Sequence, residues 1–545
     1  MTIESSTTLS ARGDVKPAEL IISAAAVHTF DPENPAASCV AVRDGRIAAV
    51  GTPAEVEPYR GESTVTLTFD GTLTPGLTDA HTHVVMGTIW TRGLDLTDLS
   101  LDQVREALAA HIVVNPDEAW VRGWGLDPNI FTSEFDGRIF DEATRGRPMF
   151  LRMRDGHSAV TNSAGIRIAG ISGTETFRDE SAVGVDDSGA PTGYLLEFSA
   201  MDLVLDHCPE ESTAELGARL LDVLRRMAAT GITSTHVLDF NPPAAEVVEW
   251  IEENHDLPVR LRFSPLIFPG TTPADWEAVA ALQGTGGRRW TVDGVKFMID
   301  GTVDNGSAWL EHPDVFGQGT KSIWTDTEDY RRALAFFAER GVSTATHAIG
   351  DRGVQFVLDA VEALGDLRDR SAHRIEHIET IPDETVSRFS ALGVAASMQP
   401  IHGTHHTKAD RSDNWSQRLG AERAGRGWRC RDLRDSGAIL ALGSDWPITP
   451  WDPREMMADS ILRRPVRRPE VAPVQPEQAL TVEQVFEGYT SHAAIAANLF
   501  DSAGTVTVGK HADFTVFAVD PLQLDAEALA DVEITACFVA GERTV

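Results

Sequence analysis

Between Leu73 and Ser444 the apolar positions fall into short strand-like runs separated by longer amphipathic stretches. The runs are Leu73–His81, Gly231–Leu238, Val259–Ile267, Val292–Ile299, Val342–His347, Arg374–Ile378, Val394–Gln399 and Ile439–Ser444. Helix-like stretches stand between them, among them Glu215–Ala229, Asp329–Arg340 and Asp351–Ala363. Eight such strands with helical crossovers match an α/β fold of the (β/α)8 TIM-like barrel class. The first two strands are ~150 residues apart, far beyond a crossover unit of roughly 30 residues. Much of the segment from about 86 to 210 is therefore expected to be an insertion above or beside the barrel mouth.

The two ends of the chain read differently. Residues 18–72 hold short alternating runs, Leu20–Ser23, Ala24–His28 and Cys39–Gly51, with Asp44–Gly45 a good hairpin turn. The same style returns in Gly504–Phe517 and Ile534–Val539. This predicts a small β-sandwich domain assembled from both termini. The expected division is a disordered leader over 1–17, the first β-sandwich segment over 18–72, a barrel over 73–500 and the closing β-sandwich segment over 501–545.

The chemistry-bearing residues collect at the ends of the strand-like runs, and in a barrel these ends converge on the active-site face. His81 and His83 share a face near the end of the first strand, spaced roughly 6.5 Å along the backbone. An isolated His-x-His pair reads best as solvated or core histidines. Here Lys296 follows in the fourth strand, His347 and His377 end the fifth and sixth, and Asp445 follows the eighth. Imidazole and carboxylate ligands suit zinc or a similar divalent metal with an open position for water. Such a metal acidifies its water and polarises a carbonyl, and a mouth-facing carboxylate can carry the proton. Lys296 sits in a mostly apolar strand, where a buried ammonium is costly. Its neutral amine can take up carbon dioxide as a carbamate; pairing with Asp293 or Asp300, or contact with substrate, is the competing reading.

Composition narrows the partners. The net charge of −35 disfavours nucleic acid and anionic membranes. The longest apolar runs are too short to span a bilayer, and Met1 to Lys16 lacks the apolar core of a secretory signal. A cytoplasmic protein is expected. The cysteines, Cys39, Cys208, Cys430 and Cys537, lack Cys-x-x-Cys spacing, which argues against a thiolate zinc site or a disulfide framework.

Taken with Pro75–His83, the segments Gly123–Trp124, Asp155–His157, Pro191–Gly193, Asp293–Lys296, His347–Arg352, Arg374–His377, Ser397–Pro400, Gly443–Asp445 and Val508–Asp513 resemble the amidohydrolase superfamily. The likeness is to its amidohydrolase family 3, a group of metal-dependent hydrolases that includes N-substituted formamide deformylase. It covers nearly the whole chain; its motifs are specific for fold and family and poorly specific for substrate. The resemblance implies His81, His83 and Asp445 around one metal and His347 and His377 around a second, bridged by Lys296 as N6-carboxylysine. One or two divalent ions, zinc first, are implied, with Asp445 doubling as proton shuttle. It sets His157 where the family's Asp-Gly-His motif stands, able to hydrogen-bond the substrate carbonyl or oxyanion, and His402, in a Gln-Pro-x-His pattern, as a further substrate contact. A homodimer is expected by analogy alone.

Trp90, Trp124, Trp428, Trp446 and Trp451 are candidates for an aromatic wall, although tryptophan more often simply packs. His236 reads best as a core histidine, His405 and His406 as a solvated loop, and Asp351 and Arg352 as a pair or cap of the following helix. The expected reaction is hydrolysis of a small-molecule amide, N-substituted formamide or carbamate by a metal-bound hydroxide. Alternatives at the same centre are opening of a cyclic imide or lactone, deamination, and C–C cleavage beside a carbonyl. A regulatory protein on a degenerate scaffold would lack a ligand, and every expected ligand position is filled.

Overall fold

The computed structural model describes residues 16–131, 135–154, 156–177 and 181–545. The expected leader falls almost wholly outside them, as does Asp155 of the Asp-Gly-His motif. Among the described residues the strands form four hydrogen-bonded sheets. One joins both ends of the chain: Leu20–His28, Ala36–Arg43, Arg46–Gly51 and Val65–Pro75 pair with Phe514–Phe517, Ile534–Val539 and Glu542–Arg543. Hydrogen bonding joins all seven strands into one sheet, whose two ends come back together where Gly45 meets Ala540 and Gly541 meets Val42. Ile22, Val40, Val42, Leu73, Phe514 and Phe538 pack together in one core, and Ile21, Cys39, Ala41 and Val56 in another.

Two further sheets together give a TIM-barrel-like α/β architecture. Leu77–Thr82, Ile232–Val237, Arg260–Phe263 and Trp290–Val292 pair in parallel. Leu266–Ile267, Val295–Met298, Thr344–Ala348, His373–His377, Ala395–Met398 and Leu440–Leu442 do the same. The sheets meet at Lys296 N–H to Pro265 O, 2.8 Å, and at Asp293 N–H to Phe263 O, 2.9 Å. On the other side, Asp445 N–H donates to His81 O at 2.7 Å and His83 N–H to Trp446 O at 2.9 Å, bridging the last strand to the first.

Three predicted strands are each split by a local breaker. Leu73–His81 is two elements: residues up to Pro75 belong to the terminal sheet, and only Leu77–Thr82 belongs to the barrel-like one. Gly76 makes the break; a Cβ there would lie 2.0 Å from the Thr233 hydroxyl, so only glycine lets the chain pass. Val259–Ile267 divides at Ser264–Pro265, where proline has no N–H for the ladder. Val292–Ile299 divides at Asp293–Gly294, with Gly294 at φ +97°.

The helices cover the outside. Thr213–Ala229 opens with a Ser212/Glu215 capping box and buries Leu216, Leu220, Leu224 and Met227. Each such leucine contributes roughly 1.5–3 kcal/mol by leaving water. Residues between the first two barrel strands form their own six-stranded sheet, running from Leu94–Asp95 to Pro191–Leu196, with separate apolar cores. The four cysteines are buried and unbridged. Among the described residues no helix is long and apolar enough to cross a membrane.

Candidate metal centre and active site

Strand register sets the levels of the barrel interior. Lys296, Ala345 and Arg374 lie side by side, and Met298, His347 and Glu376 lie side by side two residues nearer the mouth. Alternation puts both levels on one face. That face is inward, because Glu376 reaches His81 and Arg374 reaches Ala80 O and His236 across the barrel.

Alternation alone would turn His377 away from its neighbour Glu376. Its backbone is left-handed, φ +74°, and Ile378 follows at +51°, which swings the His377 ring into the mouth. Asp445 stands at φ +57° for the same purpose. Non-glycine residues rarely adopt this region, and such strain concentrates at functional sites.

The site converges on Asp445. His81 Nε2 is 3.3 Å and His83 Nε2 3.4 Å from Asp445 Oδ1. His377 Nδ1 and His402 Nε2 stand 4.0 and 3.9 Å from Oδ2. The far ring nitrogens are fixed by acids: His81 Nδ1 lies 2.6 Å from Glu376 Oε2, and His83 Nδ1 lies 2.6 Å from Asp239 Oδ2. This is the carboxylate–histidine arrangement that orients metal ligands. His81 Nε2, His377 Nδ1 and His402 Nε2 are buried with no hydrogen-bond partner among the described residues. Orphaned imidazole nitrogens converging on one carboxylate are what a divalent cation satisfies, so the donor set fits a metal. Two groups have donor atoms within 4.8 Å of one another: His81, His83 and Asp445, and His377, His402 and Asp445.

Electrostatics follow from burial and charge. Burial pulls His83 down, but Asp239 and Asp445 outweigh it and raise it to about 9. A cation bound there replaces that proton. Burial, then the Lys296 charge, holds His81 well below its usual value, and burial with His347 and His81 does the same to His377. Burial opposes ionisation of Asp445, yet His81 and His83 win and hold it well below the carboxylate range. Burial lowers Lys296 to about 8 against the pull of Glu376 and Asp445. Neither acid first considered for it is available: Asp293 binds Arg262 Nε at 3.1 Å, and Asp300 accepts the backbone N–H groups of Trp309, Ile349 and Gly350.

His157 comes from the insertion and is close enough for its charge to act on His347. Glu197 holds it twice: Oε2 is 3.0 Å from His157 Nδ1, and Glu197 N–H donates to His157 O at 2.7 Å. Glu197 itself has φ +62° and ψ 169°, a conformation that is nearly glycine-only. Phe198, 43% exposed, lies 5.5 Å from the His157 ring and 6.0 Å from Trp90.

Comparison with known proteins gives the family. The family model described as amidohydrolase family matches residues 70–545. The chain belongs to the amidohydrolase family. This amidohydrolase is 28% identical over 560 residues to Protein LONG AFTER FAR-RED 3 of Arabidopsis thaliana, covering 96% of the chain and 91% of that protein. It is 24% identical over 552 residues to N-substituted formamide deformylase of Arthrobacter pascens, covering 96% and 97%. An uncharacterized metal-dependent hydrolase from Pyrococcus horikoshii OT3 shares the fold with a TM-score of 0.73 at 21% identity, over 93% of this chain and 99% of that one. The amidohydrolase is a metal-dependent hydrolase, as its family membership and donor set require.

The other expected residues of the amidohydrolase surround this convergence or lie farther off. His347 lies beside His377, ring centroids 4.4 Å apart, but its Nε2 is 3.2 Å from Gly301 O and it is outside both convergent groups. His402, expected at substrate, takes the place beside His377 because the helix Pro400–His406 turns it inward. His405 and His406 form the last turn of that helix rather than a loop; His405 Nε2 is 2.8 Å from Asp459. His236 is a buried core residue with Nδ1 3.0 Å from Arg374 Nη1. Asp351 opens the helix Asp351–Ala363 and accepts the backbone N–H groups of Glu311 and Arg352 rather than pairing with the Arg352 guanidinium.

Of the tryptophans, Trp90 lies against Gly156, the residue before His157, while Trp124 lies on the insertion sheet in register with Asp95. Trp428 packs on Trp415, Trp446 packs on Trp451, and the Arg226 guanidinium stacks over Trp451. Sequence patterning passes over Asp239, Glu376 and Glu197. An acid inside a strand that ends in a ligand is the signal that marks Glu376, and Asp239 is marked only by standing just past a barrel strand.

Proposed function

We propose that the protein hydrolyses a C–N bond of a small-molecule amide, N-substituted formamide or carbamate. The observation that carries this reading is the approach of His81 Nε2 and His83 Nε2 to one Asp445 oxygen, with both distal nitrogens locked by carboxylates. His81, His83 and Asp445 would hold one divalent ion, zinc by donor type, and His377 and His402 with Asp445 offer a second position. When bound, the metal supplies acidified water and polarises the carbonyl.

The chain's own groups do the rest. Asp445 accepts the proton of the attacking water at a carboxylate oxygen and hands it to the leaving nitrogen as the C–N bond breaks, giving an acid and an amine. His157, held at Nδ1 by Glu197, presents its other ring nitrogen to the substrate oxygen and stabilises the charge developing there. Trp90 and Phe198 offer an apolar surface beside it; Trp124 is a more distant candidate. Lys296, lowered to about 8 by burial, would be the residue to take up carbon dioxide as a carbamate and so offer an oxygen ligand to a metal.

We divide the chain as leader 1–17, terminal sheet 18–72 and 501–545, and barrel 73–500 with the insertion at about 86–210. We take the protein to be cytoplasmic and homodimeric. The test is zinc-reconstituted enzyme on a panel of formamides, acyl amides and carbamates, read by mass spectrometry, with Asp445→Asn alongside. Turnover of one class, reduced about 10²-fold or more in a metal-replete variant, supports the reading. Substantial turnover by the metal-replete variant overturns the shuttle, and an inert zinc-loaded enzyme overturns the reaction class.

A further inference from the structure

A cavity of about 220 Å³ lies at the opposite, N-terminal end of the barrel, between the strands and the segment Leu499–Asp513. Thr78, Ser234 and Arg260 share one register level there, and His236 and Arg262 lie side by side two residues nearer the mouth. The lining carries four guanidinium groups, Arg260, Arg262, Arg288 and Arg289, against the single carboxylate of Asp513. Each guanidinium nevertheless has its own carboxylate partner, Asp513, Asp293, Asp256 and Glu542 in that order.

The arginines differ in how far they are satisfied. Asp513 grips Arg260 at Nε and Nη2, 3.0 and 3.1 Å. Arg289 is turned to the carbonyls of Leu257 and Val539 and to Glu542. Arg288, at the rim, binds Asp256 at 2.8 Å. Arg262 is 4% exposed; its Nε binds Asp293 and its Nη1 reaches Ser264, but its Nη2 has no partner among the described residues. Arg374, fully buried beside it, has its pKa lowered by that burial and also by the Arg262 charge. Asp293 and Glu376 pair with these two guanidinium groups, which leaves one buried N–H of Arg262 unmet, a charge-assisted donor that an oxyanion can satisfy.

We propose that this cavity is a second binding site, selective for a small inorganic oxyanion of the sulfate or phosphate type. Arg262 supplies the buried donor and Arg288 the entry charge; the hydroxyls of Thr78, Ser234 and Thr505 line the walls. Guanidinium forks match tetrahedral oxyanions better than they match a spherical halide. The site is independent of the hydrolytic reading, and its test needs no substrate.

The test measures thermal unfolding of full-length zinc-loaded protein in low-millimolar sulfate against chloride at equal ionic strength. A saturable stabilisation by sulfate alone is expected, by mass action on the folded state. Arg288→Gln should weaken the apparent affinity about fivefold and Arg262→Met about tenfold or more, the loss of one charge-assisted contact each. Crystals of the zinc-loaded protein soaked in selenate should show anomalous density beside Arg262, a readout that holds even where Arg262→Met does not fold. The proposal is overturned by an equal response to chloride, by a sulfate response unchanged in Arg288→Gln, or by selenate found only at the His81–His83–Asp445 centre.

Discussion

Glu376→Gln tests the ligand-orienting design most directly, because Glu376 serves two partners at once. Its side chain has no exposure; Oε2 is 2.6 Å from His81 Nδ1 and Oε1 is 2.6 Å from Arg374 Nε. The substitution keeps the shape and removes the charge. It leaves the Arg374 guanidinium, 2% exposed, with only Ala80 O and the neutral His236 ring as partners. Breaking a buried ion pair from one side costs about 3–5 kcal/mol of stability. Losing the carboxylate behind a histidine ligand costs about 10–100-fold in metal affinity, and the glutamine oxygen can still accept from His81, so the effect should lie near tenfold.

The two consequences separate in Arg374→Gln/Glu376→Gln. Removing the orphaned charge should recover about 2 kcal/mol or more relative to Glu376→Gln, since coupled neighbours are not additive. Metal affinity should stay low, because His81 still lacks its carboxylate. Stability is read by denaturant unfolding of chelator-treated protein, so that metal binding does not contribute. Affinity is read by zinc competition with a chromophoric chelator. Wild-type zinc affinity in Glu376→Gln would refute the role of Glu376 behind His81. A double variant no more stable than the single would refute the buried ion pair.

His157→Ala should lower kcat about 10²–10³-fold with KM and zinc content little changed, the signature of a contact made in the transition state; steady-state kinetics with metal analysis check it. Glu197→Ala should reproduce most of that loss and Glu197→Asp should recover part of it, whereas a loss confined to KM would contradict the positioning role. Lys296→Ala should lose zinc or activity, with partial rescue by a short carboxylic acid in the assay; full activity of the variant without rescue would exclude the bridging carbamate. Burial, against a bond to the Arg368 backbone, lowers His373 from 6.5 to about 4. The unfolded chain therefore binds more protons between those values, and stability falls as pH drops through that window while staying flat above it, by about 1.4 kcal/mol per pH unit at most. Wild type and His373→Gln should diverge in that slope on denaturant unfolding between pH 7.5 and 5; parallel profiles would refute the assignment.

His81, His83, His377 and Asp445 were legible in the sequence because each stands at or just past a strand end, and a barrel gathers those ends by construction. The alternation rule that placed them is nevertheless incomplete. It cannot show that His377 reaches the mouth only through a left-handed backbone, or that Gly76 divides the first strand between two sheets. Nor does it point to His402, which comes near Asp445 from a helix that follows a strand rather than from the strand itself.

Pairings between distant segments were less legible still. Asp239 stands just past a strand end and Glu376 beside His377, but they lock histidines 156 and 295 residues away in the chain. The grouping of His157, Glu197, Phe198 and Trp90 depends wholly on how the insertion folds back. Strand ends therefore announce the candidate metal ligands, whereas the group we propose for substrate rests on long-range contacts that periodicity does not encode. Variation in substrate among proteins with this ligand set should accordingly track the residues around His157 rather than those around Asp445.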